Sequence, residues 1–402
     1  MNVIRVIGLM LIVLLFSACS GDSEPSETKQ SAVINVYVYA PEKPMITRGD
    51  IGDVTPIDNT DTEKSESKIS TLHIWVFNHD SDDHELIAYY TPESLTNLNK
   101  GIGETYQLNA SDAFTQAEEK PKVDVYVVAN VTASGIPFGK STPRETLENY
   151  LIEGGDYFGL NTLTKVVPQA GLPMSGVLRG ASVTGSAPVY KIPTVSLTRA
   201  VSKIRFVFSR EKAETEADNI AVKINSIKLN AEMISTQEYL FLETGENAAA
   251  FHVGSYGTAE TNPAKEFLTT PLTDICQNAD PMDYSYQAGQ DAQEYEDKIN
   301  GGLNKTVKNE QNQDVPAPEL TQVGPFYLRE SGRKLSGTIT FQKDDGTSAA
   351  KEIPFEMHAA GDFSRNHTWI VYAYYSVSGL VAVTVVVKEW SDTNTSHEVY
   401  NW

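Results

Sequence analysis

Residues 32–40 read Ala-Val-Ile-Asn-Val-Tyr-Val-Tyr-Ala. Ala32, Ile34, Val36, Val38 and Ala40 alternate with Val33, Asn35, Tyr37 and Tyr39. That period of two specifies a strand with an apolar face. Pro41 and Pro44 end it, because a prolyl nitrogen cannot donate to a ladder. Next comes Met45-Ile46-Thr47-Arg48-Gly49-Asp50, and then a polar stretch to residue 68 without periodicity. Arg48 is therefore expected on an exposed loop, where proteases cut. Beyond the loop the same period resumes: Leu72, Ile74 and Val76 face one way, His73, Trp75 and Phe77 the other.

Further strands are predicted over residues 86–90, over 123–129 with Asn130 closing it, and over 195–208 with a bend at Arg199-Ala200. Others follow at 220–229, 238–242, 326–329, 334–341, 351–357, 368–375 and 380–388. Leu172-Pro173-Met174-Ser175-Gly176 reads as a turn, and Asp344-Asp345-Gly346 as a hairpin turn. One short helix is predicted over 143–152, where Thr142-Pro143-Arg144-Glu145 has the form of a capping box. Residues 254–318 are poorly patterned and read as long surface loops. The chain is thus mainly all-β, with one or two short helices.

The whole chain has 402 residues, enough for two or three domains. Lys plus Arg number 32 against 53 Asp plus Glu, a net charge of −21. That balance excludes the basic footprint of a nucleic-acid binder. An anionic membrane would repel the chain, so membrane attachment needs a lipid. The first residues offer one. Ile7 to Phe16 is an apolar run of signal-peptide length, too short to span a bilayer. It leads into Phe16-Ser17-Ala18-Cys19, which resembles the lipobox of bacterial lipoproteins. The resemblance implies a signal peptide over 1–18 and diacylglycerol on Cys19. That leaves Cys276 alone, as a small hydrophobe or an inert thiol.

Chemistry has little to work with. None of the seven His sits in H-E-x-x-H, and no C-x-x-C exists. His79 and His84 with Asp80, Asp82 and Asp83 read as a solvated hairpin tip rather than a metal site. Gly135 to Ser141 ends like a P-loop but is one residue short and lacks a strand-to-helix setting. No Gly-x-Ser-x-Gly is present. No enzyme, cofactor or metal is expected.

The ordered set of features resembles the fimbrillins, pilin subunits of the type V pili of Gram-negative Bacteroidia. It comprises the lipobox Cys19, strand 32–40, Thr47-Arg48, the Leu72 to Phe77 strand, residues 123–130 and the Leu172 to Gly176 turn. Leu197 to Ile204, Arg365-Asn366-His367-Thr368 and a Val-rich strand ending Lys388-Glu389-Trp390 complete it. The resemblance implies two transthyretin-like β-sandwich domains, over 49–190 and 191–402, after a lipidated pro-segment over 19–48. It further implies export as an outer-membrane lipoprotein and cleavage by an Arg-specific protease between Arg48 and Gly49. That cut removes the strand carrying Ile34, Val36 and Val38. The C-terminal segment of another subunit then fills the groove, giving an adhesive surface fimbrium whose other partners are related anchor and tip subunits. The first donor candidate is the strand with Val381, Val383, Val385 and Val387 on one face; segment 397–402, with Val399 and Trp402, is the second. Other readings stay open: a pilus tip or anchor, or a monomeric lipoprotein whose Tyr284, Tyr286 and Tyr295 stack on a glycan or that binds a host protein.

Overall fold

The computed structural model describes residues 32–39, 69–91, 104–131, 138–153, 171–215, 221–230, 235–241, 253–256, 265–268, 270–278, 280–287, 290–356, 365–376 and 381–389. In chain order the first elements are strands β1 (Val33–Tyr39), β2 (Leu72–Asn78), β3 (Leu86–Tyr90) and β4 (Glu104–Asn109), helix α1 (Asp112–Gln116) and β5 (Val123–Ala129). Helix α2 (Arg144–Glu148), β6 (Leu151–Glu153), β7 (Met174–Ala181), β8 (Thr184–Ser186), β9 (Val189–Ser196) and β10 (Thr198–Arg199) follow. Two sheets face each other here, ordered β4-β1-β9-β8 and β10-β7-β5-β2-β3. Their inner faces make one core: Ile34, Val36 and Val38 meet Leu72, Ile74, Val76, Val125, Val127 and Leu197.

The rest of the chain repeats the plan. It runs through β11 (Ser202–Glu211), β12 (Val222–Leu229), β13 (Ser235–Tyr239), β14 (Val253–Tyr256), β15 (Lys265–Glu266) and β16 (Gln277–Asn278). Helix α3 (Ala292–Leu303), β17 (Thr306–Lys308), β18 (Asp314–Pro316), β19 (Thr321–Leu328), β20 (Ser336–Lys343), β21 (Lys351–Glu356), β22 (His367–Tyr375) and β23 (Val381–Glu389) complete it. One sheet is ordered β16-β11-β22-β23, with β19 also on β11; the opposite sheet is β15-β12-β20-β21. Ile204, Phe206, Phe208, Ile227, Phe326, Phe341, Trp369 and Val371 fill the second core.

Strand β9 crosses residue 190, the expected domain boundary, and pairs with β1 and β8. The passage between the two cores lies at Leu197 to Ser202. The predicted strand over 195–208 is accordingly three: the end of β9, the two-residue β10, and β11. Residues 172–176 do not turn. They lead into β7, and Gly176 is glycine because a Cβ there would lie 2.6 Å from the Ser196 carbonyl oxygen. Asn130 does close β5. Its φ of 61° turns the chain, its side chain accepts from Ser70 N at 2.7 Å and donates to Leu172 O at 2.7 Å.

The predicted helix over 143–152 is shorter. Pro143 is its N-cap and makes no side-chain capping bond. The Thr142 hydroxyl instead accepts from Gly139 N, and residues 151–153 are drawn off as β6 to pair with β13. The region 254–318 departs most from expectation. Helix α3, capped by Asp291, lies over the outer face of the β11–β22 sheet, where Tyr295 and Ile299 pack with Val207, Ile370 and Tyr372. Arg205 on β11 reaches Glu296 at 3.1 Å and Asn300 at 2.8 Å. Tyr295 is fully buried and Tyr284 is 7% exposed, so the two cannot form an exposed sugar-stacking patch. Their rings serve the core, where each buries a large apolar area.

Segment 235–241 ties the two halves together. On one side β13 pairs with β6, Leu240 N donates to Tyr150 O, and the Ser175 hydroxyl donates to Leu240 O. On the other, Arg365 donates to Tyr239 O at 2.6 Å and Leu240 O at 2.9 Å while its Nε holds Glu330 at 3.0 Å. Glu330 N in turn donates to Glu238 Oε2 at 3.0 Å. Burial pushes the Glu238 carboxyl up to about 8, against the pull of Arg365. A raised folded-state value means stability is fully present below the ordinary value of 4.5 and is lost as pH rises through about 8. Glu238→Gln keeps the acceptor and removes the titration. In urea denaturation it should lose less stability than the native sequence between those two pH values. Parallel curves for the two proteins would contradict this.

Candidate functional site

The features singled out in the sequence meet the structure unevenly. Cys19, Arg48, Gly49 and segment 397–402 lie outside the described residues. Ile34, Val36 and Val38 are on β1. Val381, Val383, Val385 and Val387 are on β23, in another sheet, at register positions opposite Tyr375, Ala373, Val371 and Trp369 of β22. The structure therefore does not bring the two groups together within one chain.

Strand β1 is central in its sheet. It runs antiparallel to β4, with Ile34 opposite Leu108 and Val36 opposite Tyr106. It runs parallel to β9, with Ile34 opposite Tyr190 and Val36 opposite Ile192. The register on β9 shifts between Val36 and Val38, which sits opposite Val195. Pro193 and Thr194 fall in that shift, and Pro193 has no N–H to give a ladder. Ile34 and Val36 are 0% exposed and Val38 is 3%. Alternate side chains point out of the core, as a period of two demands.

Without β1 the slot has two properties at once. Its floor is the apolar inner face of β2 and β5, and its walls are two strands whose backbone N–H and C=O groups lose their partners. An apolar floor between open edges is a template for strand addition. The three β1 side chains bury roughly 1.5–3 kcal/mol each, so about 5–9 kcal/mol holds any strand of this pattern in place before ordering costs.

The walls were missed in the sequence. On β4, Tyr106 and Leu108 are buried between exposed Thr105, Gln107 and Asn109; on β9, Tyr190 and Ile192 alternate with exposed Val189, Lys191 and Pro193. Both carry a period-two signal, but each is short, and Pro193 interrupts the second.

The histidine-rich turn holds a different arrangement. His79 Nδ1 lies 2.8 Å from Oδ1 of the buried Asp124, which also accepts from Gly180 N at 2.8 Å. Arg144 Nη1 faces the other oxygen at 2.8 Å and its Nε pairs with Glu148 at 3.1 Å. His84 abuts the same guanidinium. The knot neutralises a buried carboxylate and ties the turn to α2. Among the described residues no group of three His, Cys, Asp or Glu side chains could hold a metal ion. Cys276 is half-buried and unbonded to sulfur.

Residues 51–225 match the family model described as major fimbrial subunit protein (FimA). That match spans 175 of the 402 residues (225 − 51 + 1) and takes in β2 to β11 and the start of β12. The fold is also similar to two solved structures. One is the tip fimbrial protein Mfa3 of Porphyromonas gingivalis with a C-terminal truncation, at 12% identity and TM-score 0.46, covering 89% of this chain and 100% of that one. The other is a fimbrial assembly protein of Parabacteroides distasonis, at 14% identity and TM-score 0.41, covering 90% and 97%. No curated protein matches the chain. A match to a fimbrial subunit family directs attention to surfaces that could join one subunit to the next.

The groove gives a direct expectation for the uncut chain. Val36→Ala should lower the unfolding free energy by about 1.5–3 kcal/mol. Gln107→Ala, on the exposed face of β4, should stay within about 0.5 kcal/mol. Equal effects in denaturant titrations would show that β1 does not fill a core slot.

Proposed function

We propose that the chain is a fimbrial subunit, exported as an outer-membrane lipoprotein acylated at Cys19, cut between Arg48 and Gly49, and polymerised by donor-strand exchange. The observation that carries the reading is the position of β1. It precedes the cut site in sequence, yet it is the central strand of its sheet and fills the core with Ile34, Val36 and Val38. One backbone cleavage therefore frees a strand that the remainder of the domain needs. The family match supports this, since it begins at residue 51, just after Gly49 and without β1.

The donor is the strand bearing Val381, Val383, Val385 and Val387. Among the described residues β23 is an edge strand with one ladder, to β22, whereas a strand in the β1 slot has two. Moving from the first place to the second exchanges one ladder for two. β23 has nine residues against seven in β1, so it spans the groove. Four valines at alternate positions match the period that the floor requires. The acceptor surface lies in the N-terminal half and the donor in the other, so the contact is head-to-tail and grows as a filament.

A specific observation favours a second donor. β23 already completes its own sheet, which leaves segment 397–402 as the alternative. Two deletions separate them. Loss of residues 390–402 should leave SDS-resistant ladders on the cell surface, and loss of 381–402 should abolish them. Ladders lost in both would move the donor to the tail. The N-terminal residue of the surface protein tests the whole scheme: Gly49 is expected. A lipid-blocked Cys19 as the sole surface species would make the protein an anchor or a monomeric binding lipoprotein.

A further inference from the structure

The two walls of the groove are not held alike. β9 keeps β8 as a neighbour when β1 departs. β4, among the described residues, pairs with β1 alone. Losing β1 would leave β4 without a ladder, and one of its ties, Ala110 N to Ala32 O at 2.9 Å, departs with β1. Something else must keep β4 in place for an incoming strand.

The root of β4 carries a compact fastening whose hydrogen bonds are all made outside β1. Ser111 N donates to Ile87 O of β3 at 2.9 Å, and the Ser111 hydroxyl caps α1 by accepting from Phe114 N. Phe114, 2% exposed, sets its ring edge-to-face on Tyr190 of β9, with centroids 5.2 Å apart at 82°. Lys120 Nζ lies 5.3 Å from both ring centroids. The same ammonium donates to Phe114 O at 2.9 Å, Thr115 O at 3.0 Å and Ala117 O at 2.6 Å, closing the last turn of α1. A five-residue helix has no stability of its own, so these contacts are what make it a fixed part.

Tyr190 stands opposite Ile34 on one side of β1, and Leu108 stands opposite Ile34 on the other. The aromatic pair thus ties β9 to α1, the helix that directly follows β4, at the level of the first groove residue. We propose that Lys120, Phe114 and Tyr190 form a strut that holds β4 one strand-width from β9 in the emptied subunit. Lys120 is its positioning residue, and strand capture depends on it. This rests on the strand-exchange reading above. In the uncut chain β1 itself joins β4 to β9, and the strut is redundant.

The test compares the native chain with Lys120→Met, which keeps the alkyl stem and removes the charge and donors, and with Lys120→Arg. Each folded full chain is measured intact and then after Arg-specific cleavage and removal of the N-terminal segment. Hydrogen exchange at 105–109 should be the same in all intact forms. In the cut forms it should be faster in Lys120→Met by on the order of tenfold, with Lys120→Arg restoring most of the protection. Association of a labelled peptide of residues 381–389 should slow by a similar factor. Faster exchange already in the intact Lys120→Met chain, or no difference between the cut forms, overturns the strut. If exchange behaves as expected but the cut native chain captures no peptide, the strut stands and the donor assignment falls.

Discussion

A central β-strand must satisfy two ladders and bury one face, and in this protein β1 does both for residues that are not its sequence neighbours. Its partners β4 and β9 begin 71 and 156 residues after it (104 − 33 and 189 − 33). Through them it closes the first core, with Ile34 and Val36 wholly excluded from solvent. The walls make sense only with an occupant. β4 has no other partner among the described residues, and the β9 register shift at Pro193 is already adapted to a strand on that side. The first sandwich is built around a piece that the chain presents from outside the family-matched region.

Segment 235–241 gives the second constraint. It belongs by sequence to the C-terminal half, yet Leu240 and Phe241 pack with Trp75, Tyr126 and Leu147 of the N-terminal half. Arg365 and Glu330 bond its backbone from the other side. A buried ion pair with this geometry adds little net stability over an apolar replacement, because desolvation offsets the attraction. Its value is directional: each group has an assigned partner, so the two halves meet in one register. In a filament joined through a groove in one half and a strand from the other, load would pass through this junction.

The period-two signal made the strands legible in the sequence, and the outline of the fold with them. β1, β2, β3, β5, β20, β22 and β23 fall within a residue or two of where alternation or apolar runs put them. Failures cluster where a distant partner decides. Residues 151–153 join no helix because β13 claims them, and Leu172 to Gly176 looked like a turn because Pro and Gly were read locally. The signal for α3 was present but thin: Asp291 as cap, then Tyr295, Ile299 and Leu303 four apart, diluted by Gly301 and Gly302. Gly302 is there because a Cβ would collide with the Tyr284 ring at 2.7 Å, a fact no local reading holds. Of the groove, the occupant was legible and the walls were not. The strut joins Phe114, Lys120 and Tyr190 across 76 residues (190 − 114), and nothing in any one of those stretches marks it.

The covalent link between β1 and the rest of the chain bears on timing in the proposed assembly. A tethered strand competes for the groove at an effective concentration set by its linker, far above that of any free donor. So long as the tether is whole, an incoming strand must displace a competitor that returns at once. Residues 40–68 supply that tether, and Arg48 lies within it. Cutting there leaves every contact of β1 in place, yet once the strand leaves it stays with the acylated pro-segment and is no longer tied to the groove. The groove need not change shape to become receptive; the competition changes from intramolecular to bimolecular. The same step would detach the mature subunit from the acyl chain on Cys19. Release from the membrane and competence to accept a strand would then be a single chemical event, which keeps a subunit from polymerising while it is still an anchored precursor.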